Sequence, residues 1–288
     1  MPDGSRCTYT MKAERAFLPA RRESVSCPQS KGSGFPPAAN ERILFMKQIN
    51  VVGIGPGAWE KMTVEAAEAL QNSDTIIGYT VYIDLVRDHL PGKEFLSTPM
   101  RKEVDRCVLA FEEAEKNKKV SMICSGDAGV YGMAGLMYEV GERYPEVSLR
   151  IIPGVTAALG GAAVLGAPLI HDFCLISLSD LLTPIEKIEK RLAAAGEADF
   201  AIVIYNPQSR KRSDYLQKAC DILLQYRKDD NVCGIVENIG REGESMKILT
   251  LRELRDTPVN MFTTVFIGNS QTKIVNGHMV TPRGYRNV

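Results

Sequence analysis

A chain of 288 residues, 44% hydrophobic and 24% charged, has the balance of a globular protein and room for one large or two medium domains. Its 35 basic residues match 35 acidic ones, so net charge argues for neither nucleic acid nor a membrane surface, and no apolar run approaches the ~20 residues that span a bilayer. Seven cysteines, odd in number and never spaced C-x-x-C, argue against a zinc site and a secreted disulfide framework, and fit buried thiols in a reducing cytoplasm.

Residues 1–45 carry Pro19, Pro28, Pro36, Pro37 and the pair Arg21-Arg22 among many Gly and Ser, without sustained periodicity. They read as a disordered extension, or as sequence ahead of a true start at Met46, and no targeting peptide stands out in them. From Met46 strand-like and helix-like segments alternate, which predicts an α/β fold with parallel strands. Residues 49–54 form a short apolar strand ending in glycines. Val64, Ala67 and Leu70 give a helical stripe, with Thr63 as N-cap and Glu65 in the first turn. Residues 75–77 and Val120–Cys124 read as the next strands, separated by a helix on which Val104, Cys107, Val108 and Phe111 share a face. Met133, Leu136 and Val140 mark another helix, and 149–152 a strand closed by Pro153-Gly154. A helix or turn runs through Ala157–Leu165 until Gly166-Ala167-Pro168 punctuates it. That predicts an N-terminal α/β domain at 46–167 and a C-terminal one at 168–288, with a cleft between them.

In the second half Phe173–Ser177, 200–205, 232–236, 247–251 and Thr263–Ile267 read as strands. Thr183-Pro184-Ile185-Glu186 predicts a helix start, with Thr183 as N-cap and Glu186 closing a capping box. Leu216, Ala219, Cys220 and Leu223 mark a second helix.

Small-residue turns stand at three strand ends, where α/β sheets hold their ligands. Gly53-Ile54-Gly55-Pro56-Gly57 departs from the G-x-G-x-x-G dinucleotide fingerprint, because Gly57 comes one residue early and the helix starts only near Thr63. Alone, it is also readable as a plain strand-terminating turn. The segment SGDAGVYG over 125–132 offers a backbone cradle with one acid. Asp127 there suits a ribose hydroxyl or a cationic group, or else caps a helix. The third turn is Pro153-Gly154-Val155-Thr156-Ala157-Ala158. Together they suggest one extended cofactor bed.

This set resembles the cobalamin/sirohaem tetrapyrrole methylase family. ISLSDLLTP over 176–184, YNPQSRKR over 205–212, IGNS over 267–270 and TPRGY over 281–285 are similar to the branch of that family acting at C17. The resemblance covers about Met46 to Tyr285. It implies two α/β domains, unlike the ordinary Rossmann methyltransferase, a homodimer, and S-adenosylmethionine (SAM) as co-substrate in the interdomain cleft. By position it implies SAM contacts at Pro56, Ser125, Gly126, Asp127, Val130, Thr156, Ala157 and Asn206, with Asn238, Ile239, Gly240, Thr263 and Thr264 on the adenine side. The implied activity is C17 methylation of a precorrin-3B or cobalt-factor III tetrapyrrole, coupled to ring contraction, in cobalamin biosynthesis. Methylation of another ring carbon, or of a protein side chain as in diphthine synthase, is the alternative within the fold. Cobalt enters only as part of the substrate, and the Leu181-Leu182-Thr183-Pro184 run leans towards the cobalt-loaded route.

Methyl transfer from a sulfonium asks mainly for in-line positioning with water excluded, whereas ring contraction needs proton transfer. Asp180, Ser179, Tyr131 and His171 are the candidates for that transfer. His171 and His89 read as acid–base groups or axial ligands to substrate cobalt, but more often such a histidine is an ordinary surface or satisfied polar site. Arg210, Lys211 and Arg212 suit the substrate's carboxylate arms, or a solvated helix start.

Overall fold

In the computed structural model, which describes residues 47–99, 101–209 and 213–285, five short strands build the first sheet. They are β1 (Lys47–Gly53), β2 (Thr75–Tyr79), β3 (Glu94–Thr98), β4 (Val120–Cys124) and β5 (Val147–Ile152). Among them lie α1 (Val64–Gln71), α2 (Thr80–Asp84), α3 (Glu103–Glu115) and α4 (Ala134–Gly141). The extension expected over 1–45 lies outside the described residues.

The strand order is β3-β2-β4-β1-β5 and every pairing is parallel. Parallel neighbours need long crossovers, so helices cover both faces and strand side chains bury on both sides. Hence β4 is buried at every position. On one face Ile54, Leu70, Ile76 and Ile83 form a core under α1 and α2, and on the other Phe111, Met122 and Met137 join α3 and α4. Thr63 caps α1 as expected, its hydroxyl accepting from the Ala66 N–H at 3.2 Å. Strand β3 was not expected. It is the sheet edge and half-exposed, so it carries no continuous apolar run.

The second half holds β6 (Gly166–Ala167), β7 (Phe173–Ser177), β8 (Ala201–Tyr205), β9 (Val232–Glu237), β10 (Ser245–Thr250), β11 (Thr263–Ile267), β12 (Lys273–Val275) and β13 (His278–Val280). Its helices are α5 (Ala157–Leu165), α6 (Ile185–Glu197), α7 (Tyr215–Leu223) and α8 (Leu251–Arg255). Here the expectation of parallel strands fails. In the order β10-β9-β11-β8-β7, β7 and β8 are parallel and the other neighbours antiparallel. The β9–β10 link, residues 238–244, is too short for a parallel crossover.

The capping box expected at Thr183 does not form either. Pro184 keeps an extended ψ of 140° and is itself the N-cap, without a side-chain bond. A capping box does form at Thr250 and Glu253, where it ends β10 and starts α8, cutting short the strand expected over 247–251.

Helix α5 follows directly on the first sheet but packs on the second, with Ala158, Ala162 and Leu165 against Val203, Val236 and Phe266. A Cβ on Gly161 would lie 2.7 Å from the Phe266 ring, so the small residue sets how close helix and sheet approach.

Cys107, Cys124, Cys220 and Cys233 are buried free thiols. Burial pushes Cys107 and Cys220 up to about 12 and Cys124 to about 11, and raises Cys233 as well. In the unfolded chain these groups ionise near ~8.5. Their contribution to stability is therefore complete below about pH 8.5 and is lost as pH rises through the native values. Unfolding free energy should fall with pH above that point, and native-state alkylation should spare these four thiols. Peptide mapping that finds them labelled as readily as in denaturant would contradict this.

Candidate functional site

Strands β4, β1 and β5 are neighbours, so their carboxyl ends at Cys124, Gly53 and Ile152 lie side by side. The chain leaves β1 towards β2 on one side and leaves β4 past β1 to β5 on the other.

The turns there pack backbone on backbone. Gly55 N–H donates to the Gly126 carbonyl at 3.0 Å, and Gly126 N–H to the Gly55 carbonyl at 2.8 Å. A Cβ on Gly53 would meet the Gly126 oxygen and the Gly154 nitrogen at 2.7 Å, and one on Gly154 would sit 2.2 Å from the Gly126 oxygen. Folding alone therefore demands some of the glycines that read as a cofactor bed.

Asp127 belongs to the same packing. Its Oδ1 accepts from Gly129 N–H at 2.8 Å and its Oδ2 from Gly154 N–H at 2.9 Å, clamping the second turn to the third. It is not a helix cap, because α4 starts later with Met133 as N-cap. Asp127→Ala strands both N–H groups, and bonds to a charged acceptor are worth roughly 1.5–3 kcal/mol. A stability loss of about that size is expected in chemical denaturation, larger than for Asp127→Asn, which keeps an acceptor. Equal losses would contradict the clamp.

A cavity of about 230 Å³ opens above these turns. Pro56, Ser125, Gly126, Val130 and Tyr131 line it from the first half, and Thr156 and Ala157 from the start of α5. Asn206, Asn238, Ile239, Thr263 and Thr264 close it from the second sheet. Two expected contacts, Asp127 and Gly240, are not in the lining. Asp127 is held by the backbone bonds just given. The Gly240 carbonyl accepts from Ala58 N–H at 2.6 Å, and a Cβ on Gly57 would lie 2.2 Å from that oxygen. Gly57, early for a nucleotide loop, is small because the β9–β10 turn crosses there.

Of the proton-transfer candidates Tyr131 lines the cavity, whereas Ser179, Asp180 and His171 do not. Exposed Asp180 accepts from the Tyr215 hydroxyl at 2.7 Å, and Ser179 N–H donates to Ser177 Oγ at 3.2 Å. His171 Nδ1 lies 3.4 Å from Asn269 Nδ2. His89 stacks on Trp59 with ring centroids 4.8 Å apart. Arg210, Lys211 and Arg212 lie outside the described residues.

Sequence reasoning missed Tyr82, Tyr205, Arg241, Met261 and Phe262, which also line the cavity. The Tyr205 hydroxyl accepts from Ala158 N–H at 2.8 Å and is 2.6 Å from Thr156 Oγ1, so it fixes the start of α5. Arg241 Nε donates to the Pro56 carbonyl at 3.4 Å and its Nη2 to Ser125 Oγ at 3.1 Å. Burial raises the phenols of Tyr82, Tyr131 and Tyr205 above their usual value, so they stay protonated donors. Tyr131, Asn206 and Asn238 all adopt left-handed backbone, with φ of 53°, 52° and 52°. Asparagine tolerates that region; tyrosine does so at a cost, and such strain gathers at working sites. No His/Cys/Asp/Glu cluster able to hold a metal occurs among the described residues, nor any helix long and apolar enough to cross a membrane.

Two α/β layers thus meet over one cavity. Residues 48–255 match the family of tetrapyrrole (corrin/porphyrin) methylases. The chain belongs to that family. It is 47% identical to a protein of Salmonella typhimurium named "Probable cobalt-factor III C(17)-methyltransferase", over 82% of this chain and 99% of that one. It is 46% identical to the cobalt-factor III methyltransferase of Priestia megaterium, over 82% of this chain but 45% of that longer protein. A precorrin-3B C(17)-methyltransferase from a Sinorhizobium species is 38% identical over 82% of this chain and 96% of its own. Among solved structures, the methyltransferase CobJ matches with a TM-score of 0.75 at 35% identity, over 82% of this chain and 99% of that one. Uroporphyrin-III C-methyl transferase from Thermus thermophilus, complexed with S-adenyl homocysteine, shares the fold with a TM-score of 0.62 at 21% identity, over 77% and 97% of the two chains.

Proposed function

We propose that this chain uses SAM to methylate C17 of a cobalt-factor III or precorrin-3B tetrapyrrole, with contraction of the ring, in cobalamin biosynthesis. The observation that carries the reading is that the residues assigned to SAM by resemblance, all but Asp127 and Gly240, line one cavity. The names of the relatives supply the substrate. Those named for cobalt-factor III match at 47% and 46% identity against 38% for the precorrin-3B enzyme, which favours the cobalt-loaded substrate. The Thermus thermophilus enzyme of the same fold was solved with S-adenyl homocysteine, which fits the co-substrate.

The residues present suit such a ligand. SAM brings a methyl group already activated by its sulfonium, so the protein's task is to orient it and keep water out. Val130, Ile239 and Met261 give apolar wall, and Tyr205 holds Thr156 and the start of α5 in place. Among the described lining residues there is no carboxylate. Ring contraction adds a proton movement, for which Tyr131 is the one of the four sequence candidates that lines the cavity. The same reading takes the protein as a cytoplasmic homodimer whose two sheets close on SAM.

Anaerobic incubation with SAM and cobalt-factor III tests it. The expected product carries one added methyl by mass spectrometry, at C17 by NMR, with the absorbance of a contracted ring. A methyl on another carbon, or none transferred, overturns the assignment. Light scattering that returns a monomer overturns the dimer.

A further inference from the structure

Arg241 is the one charged side chain among the described residues lining the cavity. It projects from the β9–β10 turn to two turns of the first half, and both its acceptors there, the Pro56 carbonyl and the Ser125 hydroxyl, are neutral. No ion pair among the described residues includes it. A guanidinium carries five N–H donors. Two are used by these bonds, which leaves the Nη1 edge and one Nη2 hydrogen for a ligand. The Phe262 ring, 5.9 Å from its central carbon, supports the group from a second direction. Burial lowers the Arg241 pKa from its usual value, against the opposing effect of the Tyr82 phenol. A cation so placed gives up solvation and gains from an anionic partner.

On the reading that SAM occupies this cavity, we propose that Arg241 is its carboxylate receptor, pairing with the α-carboxylate of SAM or with an acetate arm of the tetrapyrrole. Planar, forked geometry matches a carboxylate with two parallel bonds, and the rest of the described lining offers no other cation. The SAM carboxylate is the nearer source, because the groups that hold the guanidinium, Pro56 and Ser125, are themselves expected SAM contacts.

Calorimetric titration of the full chain with S-adenosylhomocysteine and with its decarboxylated analogue, S-adenosyl-3-thiopropylamine, tests the pairing. Wild type should prefer the carboxylate-bearing compound by about tenfold or more, and Arg241→Gln should erase that preference. Arg241→Lys should keep part of it, and serves as the second variant if Arg241→Gln folds poorly. The substrate source is read by absorbance titration with uroporphyrin III and with coproporphyrin III, which has methyl groups in place of the acetates. If the acetate is the partner, the nucleoside preference survives in Arg241→Gln while uroporphyrin III binding alone weakens by about tenfold. Either result supports the inference and names the source. Unchanged preferences in both arms, with only a lower melting temperature, overturn it and leave Arg241 a strut between turns. Wild type that binds none of these compounds overturns the functional reading, and this inference with it.

Discussion

Gly154→Ala should cost ~3 kcal/mol or more of folding stability and abolish binding of S-adenosylhomocysteine. The added Cβ would stand 2.2 Å from the Gly126 oxygen, 2.5 Å from the Gly53 oxygen and 2.6 Å from the Gly53 carbonyl carbon. All three are backbone atoms at the ends of adjacent strands, so no side-chain rotation relieves the overlap. To make room, the β1, β4 and β5 turns must separate, which breaks the Gly154 N–H bond to Asp127 and moves the cavity floor. Gly135→Ala is the control. It lies in α4 with nothing within 4 Å of an added Cβ, and there alanine should stabilise by up to ~1 kcal/mol through helix propensity. Urea unfolding curves for the two variants give the comparison. A Gly154→Ala protein within experimental error of wild type would show that the strand-end turns are not tightly packed.

Tyr131→Phe should leave methyl transfer largely in place and lower the yield of contracted ring by ~10²–10⁴-fold, the usual weight of an acid–base group. The two steps ask for different things: one needs geometry, the other a proton. Burial raises the Tyr131 pKa, and its hydroxyl donates to the Leu175 carbonyl at 2.9 Å, a bond the proton must leave to reach the substrate. Phenylalanine keeps the ring packed near Tyr205, 5.2 Å away between centroids, so a fall in contraction alone isolates the hydroxyl. Mass spectrometry reports methylation and absorbance the state of the ring. Contraction at the wild-type rate would remove Tyr131 from the chemistry, and Asp180→Asn becomes the variant to assay. Asp180, exposed and bound to the Tyr215 hydroxyl, reaches the cavity only if the segment after β7 moves.

What the sequence made legible follows physical visibility. Val120–Cys124, Phe173–Ser177 and Thr263–Ile267 are strands with the expected bounds because short apolar runs between turn residues admit little else. Strand β3 escaped because an edge needs no such run. The antiparallel part of the second sheet escaped because local pattern records burial and not the direction of a neighbour. In α5 small apolar residues dominate, so nothing in the segment tells which sheet it will cover. The site divides in the same way. Turns rich in glycine stand out in a sequence, and the family likeness attached a ligand to them. Arg241 does not stand out, because it meets Pro56 from 185 residues away. Asp127 stood out as an acid at a strand end, yet its partners are backbone groups that only the folded turns bring to it.

The cavity draws its walls from both sheets, and backbone contacts such as Ala58 N–H to Gly240 O at 2.6 Å join those walls directly. Unfolding of either sheet would then destroy the whole receptor, so mass action sets the heat resistance of the occupied protein. A ligand at a hundred times its dissociation constant adds about 2.7 kcal/mol to the free energy of unfolding, shared by both halves. With SAM as that ligand, as proposed above, the protein's lifetime in a cell would follow the supply of that metabolite as well as its own packing.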